Sequence, residues 1–337
     1  MMNLRVPKYL SYSAVTKFMS DRDEYFLRYI AEHRTPRTPQ GKPASVGSAF
    51  DARVKSVLYE HVYGPNYKPE QFSYDALFEE QVEAHGRDFA GPAGDYVYDC
   101  YKTSGMLDRF IEIIDQAVEP PQFEFRVEKT VGGVPLLGLP DGHVKLPNDL
   151  NFILDWKVNG FCSKSALSPN KGFLKCLDGF KAKKQSRSHD TSHKDCTPMM
   201  LNGVEINEQF AEDYSEMWAS QTTGYAWCLG EEVGSEDFVM AIHQCVCKPL
   251  PSGDYPVLRF GEFRSRVRKP FQEMLLRKYQ RCWKAVTSGH IFDELSREKS
   301  DERCEMLNNT AARMAHDVNS VGGDGDWFNE VVRPEWW

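Results

Sequence analysis

Asp141, Asp155 and Lys157 lie in one short stretch, GLPDGHVKLPNDLNFILDWK, residues 138–157. Pro147, Asn148 and Asp149 have the chemistry of a turn between two strands. Centring that turn on Asn148 sets Asp141 opposite Asp155. Directly opposed residues on antiparallel strands carry Cβ atoms about 4.5–5.5 Å apart. Lys157, two residues beyond Asp155, projects on the same face. Two carboxylates so placed repel each other unless a proton or a cation lies between them. A hard divalent ion resolves the conflict, and Mg²⁺ takes one or two carboxylates, retained waters and a substrate phosphate. Such an ion acidifies bound water and neutralises charge on a phosphate under attack. Lys157 beside it would position and help deprotonate the attacking water, or stabilise the transition state electrostatically. The plainer alternative is a surface ion pair between Asp155 and Lys157, with Asp141 as a turn residue. Asp155-Trp156-Lys157 is, however, the chain's only Asp/Glu-x-Lys, and the apolar run NFILDW before it argues for a buried strand, where an unpaired charge is costly.

These residues need a sheet to hold them. In EPPQFEFRVEKTV, Phe123, Phe125 and Val127 alternate with charged residues, which is strand patterning. Strands are expected to continue over 134–146 and 150–158, with a further one in EDFVMAIHQCVC. The first third reads helical. Ser11 or Ser13 caps a first helix that breaks at Ser20–Asp23, and helical periodicity resumes from Ala44 to Gly64. More helix is expected near 72–86, 93–117 and 206–231, and a closing helix ends at Gly289. Helices, then a hairpin-rich sheet, then helix, strand and helix suit an α/β fold with the sheet between helices.

Composition leaves function open. The chain has 337 residues, 41% hydrophobic and 27% charged, with a formal net charge of −8. That balance speaks against non-specific coating of nucleic acid but is compatible with an acidic centre flanked by basic patches. No apolar run reaches membrane-span length and the N-terminus lacks a signal-peptide core, so no membrane role and no export are expected. The nine cysteines are scattered without a CxxC pair, as in a reduced compartment. There is no Gly-rich phosphate loop, no HExxH and no recognisable Ser/His/Asp order.

GLPDGHV followed by FILDWKV resembles the PD-(D/E)XK nuclease superfamily, in particular its RecB/Cas4-like and phage exonuclease branches. Three further stretches are similar: the opening LSYSAVTKFMSDRDEYFLRYI, the segment GSAFD at 47–51, and SQTTGYAW with Gln221-x-x-x-Tyr225. The resemblance spans about residues 9–290 in order. It implies a restriction-endonuclease-like α/β core, a mixed sheet flanked by helices, behind a helical N-terminal cap. It implies Asp141, Asp155 and the Trp156 carbonyl as ligands to Mg²⁺ or Mn²⁺, Lys157 as the catalytic lysine, and Gln221 and Tyr225 beside the site. The plain reading of that last pair is helix packing at i and i+4. Asp51 stands where the branch usually has His. As another hard oxygen ligand it would complete the site; otherwise the position has lapsed. Cys100 alone precedes Asp141, without the group of cysteines of iron–sulfur relatives, so no cluster is expected.

The resemblance therefore implies a metal-dependent nuclease acting on DNA, of exonuclease type. It would serve recombination, repair or phage DNA metabolism in the cytoplasm of a bacterial or phage-infected cell and leave 5′-phosphate and 3′-hydroxyl ends. The rival is the same fold kept as a nucleic-acid or protein-binding module that no longer cuts. Residues 1–290 are read as one nuclease domain: a helical cap to 118, a catalytic hairpin sheet over 122–158, a basic insertion over about 160–203, and a completion over 206–290. Lys181, Lys183 and Lys184 in the insertion, and Arg264, Arg266, Arg268 and Lys269 in RSRVRK, read either as phosphate contacts or as a solvated face. Residues 291–337 form an extension and flexible tail. Its DWFNEVVRPEWW reads as a peptide for a recombination or replication partner, or as an end without a role.

Overall fold

Phe152, Leu154 and Trp156 alternate with Ile153, Asp155 and Lys157 along one strand, and the fold is built on that strand's two faces. The computed structural model describes residues 4–33, 35, 38–159, 169, 172–178, 196–246 and 258–320. Ten strands are described: β1 Gln122–Phe123, β2 Val127–Val131, β3 Val134–Gly138, β4 Gly142–Lys145, β5 Asn151–Asn159, β6 Lys175–Asp178, β7 Pro198–Leu201, β8 Val204–Asn207, β9 Phe238–Val246 and β10 Arg259–Ser265. Six form a mixed sheet in the order β1-β4-β5-β9-β10-β6, while β2-β3 and β7-β8 are separate hairpins. Among the sheet's pairs, β5 and β9 run parallel and the others antiparallel. A parallel pair needs a crossover between its strands.

The helices are α1 Tyr12–Ser20, α2 Arg22–Tyr25, α3 Lys42–Tyr63, α4 Pro69–Phe72, α5 Tyr74–Gln81, α6 Arg87–Thr103, α7 Met106–Ile114, α8 Ala211–Tyr214, α9 Glu216–Cys228, α10 Lys269–Ser288 and α11 Arg297–Ser320. On one face of the sheet, α3, α6 and α7 supply Phe50, Val97 and Phe110 to a core shared with Phe152, Leu154 and Trp156. On the other, the crossover helix α9 sets Trp218, Ala219 and Ala226 against Ile153, Met240 and Ile242. Strand β9 is buried throughout, as a parallel strand covered on both faces should be. Thus the chain is α/β, a mixed sheet flanked by helices. Among the described residues no helix is long and apolar enough to cross a membrane.

Several expected boundaries shift for physical reasons. The strand expected over 134–146 is two strands in two sheets, broken at Leu139–Asp141. Pro140 has no N–H for a ladder, so the chain changes sheets there. The strand pattern at Phe123–Val127 also breaks, at Glu124, whose φ is 42°. Part of the stretch read as an insertion belongs to the fold: β6 closes the main sheet beside β10, with Phe173, Leu174 and Cys176 buried. The helix expected from residue 206 starts later, because Val204–Asn207 pair with Pro198–Leu201 as a hairpin. The C-terminal extension contains α11, whose Cys304, Leu307 and Ala311 are buried in a core with α1 and α10. The tail peptide from residue 321 and Lys181, Lys183 and Lys184 lie outside the described residues.

Candidate active site

The hairpin register is the expected one. Gly142 pairs with Leu154, His143 with Ile153 and Val144 with Phe152. Asn148 and Asp149, both at φ 61°, make the turn. Asp141 therefore sits just past the paired segment at the end of β4, level with Asp155. Its Oδ2 accepts the Trp156 N–H at 2.9 Å, and its carbonyl accepts the Glu124 N–H at 3.1 Å. One peptide thus ties the first aspartate to the strand that carries the second.

Asp155 and Lys157 share the α9 face. Lys157 Nζ lies 2.6 Å from Asp155 Oδ2 and donates to Gln221 Oε1 at 2.8 Å. The Gln221 amide nitrogen donates to Asp155 Oδ1 at 3.0 Å and to the Tyr225 hydroxyl at 2.8 Å. A carboxamide has two donors and an acceptor, and all are used. Tyr225 approaches the β2–β3 hairpin at Gly138, where an added Cβ would stand 3.0 Å from the ring. Glycine there lets α9 settle onto the hairpin. Although Lys157 is an ion-pair neighbour of Asp155 Oδ2, no described donor meets that buried oxygen in hydrogen-bond geometry. Burial, reinforced by the Asp141 charge and opposed by Lys157, raises the Asp155 carboxyl to about 7.

Asp51, from the middle of α3, joins the same cluster. Burial and the charges of Asp141 and Glu124 raise it, Lys55 opposes them, and the balance is about 7. Its partner is Lys55, one helical turn on, which also donates to Glu124 Oε2 at 2.8 Å. The Lys55 side chain is only 1% exposed. Burial alone would lower its pKa, but the charges of Asp51, Asp141 and Glu124 outweigh that and raise it. Sequence reading missed Lys55 and Glu124. The i, i+4 spacing of Asp51 and Lys55 was the one signal available; Glu124 reaches the cluster through a backbone conformation that strand patterning does not encode.

A cavity of about 1490 Å³ opens over these groups, lined among others by Asp51, Lys55, Glu124, Asp141, Lys157, Arg87 and Arg126. Asp155 lies just beneath, 3% exposed. None of Arg264, Arg266, Arg268 and Lys269 lines it. Arg264 is buried against Glu262, Arg266 lies 3.8 Å from Glu236, Arg268 pairs with Asp213, and Lys269 lies 4.0 Å from Glu273. RSRVRK thus lies away from this cavity with acidic neighbours beside its basic side chains, and the cations lining the cavity include Lys55, Lys157, Arg87 and Arg126.

Behind Trp156 runs a buried polar chain. Trp156 Nε1 donates to the Tyr101 hydroxyl at 3.3 Å, and that hydroxyl lies 2.6 Å from His243 Nδ1. His243 Nε2 faces Glu262 at 3.4 Å, and Arg109 holds the same carboxylate at 2.8 Å. Its tautomer follows from these partners, with the proton on Nε2.

The carboxylates of Asp141 and Asp155 offer hard oxygen donors in the cluster. A buried Asp155 carboxylate, its proton affinity raised by burial and by the Asp141 charge, is what a divalent cation would relieve. The residues fit an ion of the Mg²⁺ or Mn²⁺ type. Asp51 stands near but already has a counter-ion in Lys55. Among the described residues, no three His, Cys, Asp or Glu side chains converge as a metal-binding group.

No protein-family model and no curated protein matches the chain. A solved structure described as "Crystal structure of SSO0001" aligns over 79% of this chain and 85% of its own at 11% identity, with a TM-score of 0.24. That degree of likeness carries no argument about fold or function.

Proposed function

We propose that this chain is a Mg²⁺- or Mn²⁺-dependent deoxyribonuclease of the PD-(D/E)XK kind. It hydrolyses phosphodiester bonds from DNA ends, in recombination, repair or phage DNA metabolism. What carries the reading is the meeting of Asp141, Asp155 and Lys157 with Gln221 and Tyr225 beneath one cavity. Asp141, Asp155 and the Trp156 carbonyl would hold the ion. When bound, it would supply Lewis-acid stabilisation of the phosphate and an acidified water.

The chain's own residues do the rest. Gln221 fixes the Lys157 ammonium at one end and the Asp155 carboxylate at the other, so nucleophile and phosphate meet an oriented charge. The Tyr225 hydroxyl keeps its proton, because burial and the Asp155 charge raise its pKa; it is a neutral hydrogen-bonding group beside the scissile position. Arg87 and Arg126 on the cavity wall offer further phosphate contacts.

The test is cleavage of end-labelled linear and circular DNA in Mg²⁺, Mn²⁺ or EDTA, with wild type beside Lys157→Ala. Linear DNA should be degraded and circles spared, with activity lost in EDTA and lowered roughly 10²-fold or more in the variant. Intact linear and single-stranded DNA in Mn²⁺ would overturn the proposal. A second reading, a binding module that no longer cuts, is favoured by one observation: lysine ammonium groups already contact Asp51 and Asp155. DNA binding of equal strength in Mn²⁺ and EDTA, without cleavage, would select it.

A further inference from the structure

The cluster has two sides, each with a lysine on its carboxylate, and the two lysines are held differently. Asp141 accepts the N–H of Trp156, next to Asp155, and lines the same cavity as Asp51, Lys55 and Glu124. On the Asp155 side Lys157 Nζ lies 2.6 Å from Oδ2, but its side chain is 22% exposed and it is shared with Gln221 Oε1 rather than enclosed between carboxylates. On the Asp51 side the arrangement is complete. Lys55 Nζ pairs with Asp51 and donates to Glu124 Oε2 at 2.8 Å. Glu124 is further held by the Gln81 amide, and its φ of 42° turns a non-glycine residue to where this contact is made. Unfavourable backbone of that kind persists only where its surroundings enforce it.

In two-metal hydrolase sites, carboxylates on either side of a shared acid each serve one ion, about 3.5–4 Å apart. Here an ammonium, a compact point charge with three donors, takes one of those places. We infer that Lys55 is the site's resident second cation: locked between Asp51 and Glu124, it holds the position a second divalent ion would take, so the chain binds one such ion and Asp51 is its counter-ion rather than a metal ligand. This rests on the reading of Asp141 and Asp155 as metal ligands. A fixed cation is already in place when substrate arrives, and it neutralises charge next to Asp141 whatever the metal concentration.

The consequence is a count. Full-length protein is titrated with Mn²⁺ and bound ion is read by loss of the free-ion paramagnetic resonance signal, for wild type, Asp155→Asn, Lys55→Arg and Lys55→Met. Wild type should bind one Mn²⁺, and Asp155→Asn should lose it. Lys55→Arg keeps the charge and should still bind one. Lys55→Met leaves Asp51 and Glu124 without their cation, and removing one partner of a buried pair strands the other. A second Mn²⁺ should fill the gap, so that variant should bind two and gain more thermal stability from Mn²⁺ than wild type does. Two ions on wild type, or one on a folded Lys55→Met, would overturn the inference while leaving the metal site intact. A Lys55→Met chain that stays unfolded in Mn²⁺ would overturn it too, since the added ion should replace the missing ammonium. No ion on wild type would sink the metal reading itself, and this inference with it.

Discussion

Gln221 is the residue on which the candidate site turns. It is the sole described side chain that touches Asp155, Lys157 and Tyr225 together. Replacing it by Ala removes no charge and no large apolar surface, so the fold should persist. The lysine and the carboxylate would lose the group that orients them. Loss of such a supporting contact at a metal site typically costs about 10–100-fold. Gln221→Ala should therefore lower the initial rate on end-labelled DNA by that factor with little change in the melting temperature. An unchanged rate would remove Gln221 from the machinery. Its pairing with Tyr225 was legible from i, i+4 spacing, and the level placement of Asp141 and Asp155 from the position of the turn. Lys55 and Glu124 were not legible together, because 69 residues separate them and no periodic pattern links a helix residue to a left-handed residue between strands.

The elements show the same division between local and distant signals. Ser11 caps α1 through the Ala14 N–H, and α10 ends at Gly289 as its sequence indicates. The break after Gly138 had a local signal too, Pro140, yet alternation alone carries a strand straight through it. The edge strand β6 had none, since its burial depends on β10, some 80 residues later. The close approach of α3 and α6 is likewise a tertiary fact. A Cβ on Gly94 would lie 2.5 Å from Ala49 Cβ and 2.9 Å from backbone atoms of Ala49 and Phe50. Backbone cannot retreat as a flexible side chain can, so Gly94→Val must push the helices apart. The expected cost is about 3 kcal/mol, read as a lower urea midpoint at unchanged slope. Wild-type stability in Gly94→Val would mean that the contact yields.

At the scale of the whole molecule, two buried charge systems oppose each other in pH. Glu262 is fully buried, which favours its neutral form, but Arg264, His243 and Arg109 outweigh burial and hold its carboxyl well below the ordinary range. Its contribution is present above the unfolded value, about 4.3, and is lost as pH falls through the folded one. Burial also lowers His243 despite Glu262. Unfolded histidine takes up a proton near 6.5 while the folded ring resists it, so stability declines as pH drops below that point. The metal-free cluster does the reverse. Asp51 and Asp155, raised to about 7 mainly by burial, favour the fold most below the unfolded carboxylate value, and that contribution is lost as pH rises through 7. In EDTA the protein should therefore melt higher on the acid side of neutrality than near pH 8, and fall again only well below the unfolded carboxylate value of about 4.3. Ionised carboxylates are what a divalent cation binds, so Mn²⁺ should raise the melting temperature more at about pH 8 than at about pH 5.5, flattening the alkaline limb and leaving the acid limb as it was. Thermal melts across pH with Mn²⁺ or EDTA read both limbs at once. An alkaline limb indifferent to Mn²⁺ would separate the buried carboxylates from metal binding, whereas an acid limb that moved with Mn²⁺ would mean that the Glu262 network and the cluster are coupled through Trp156.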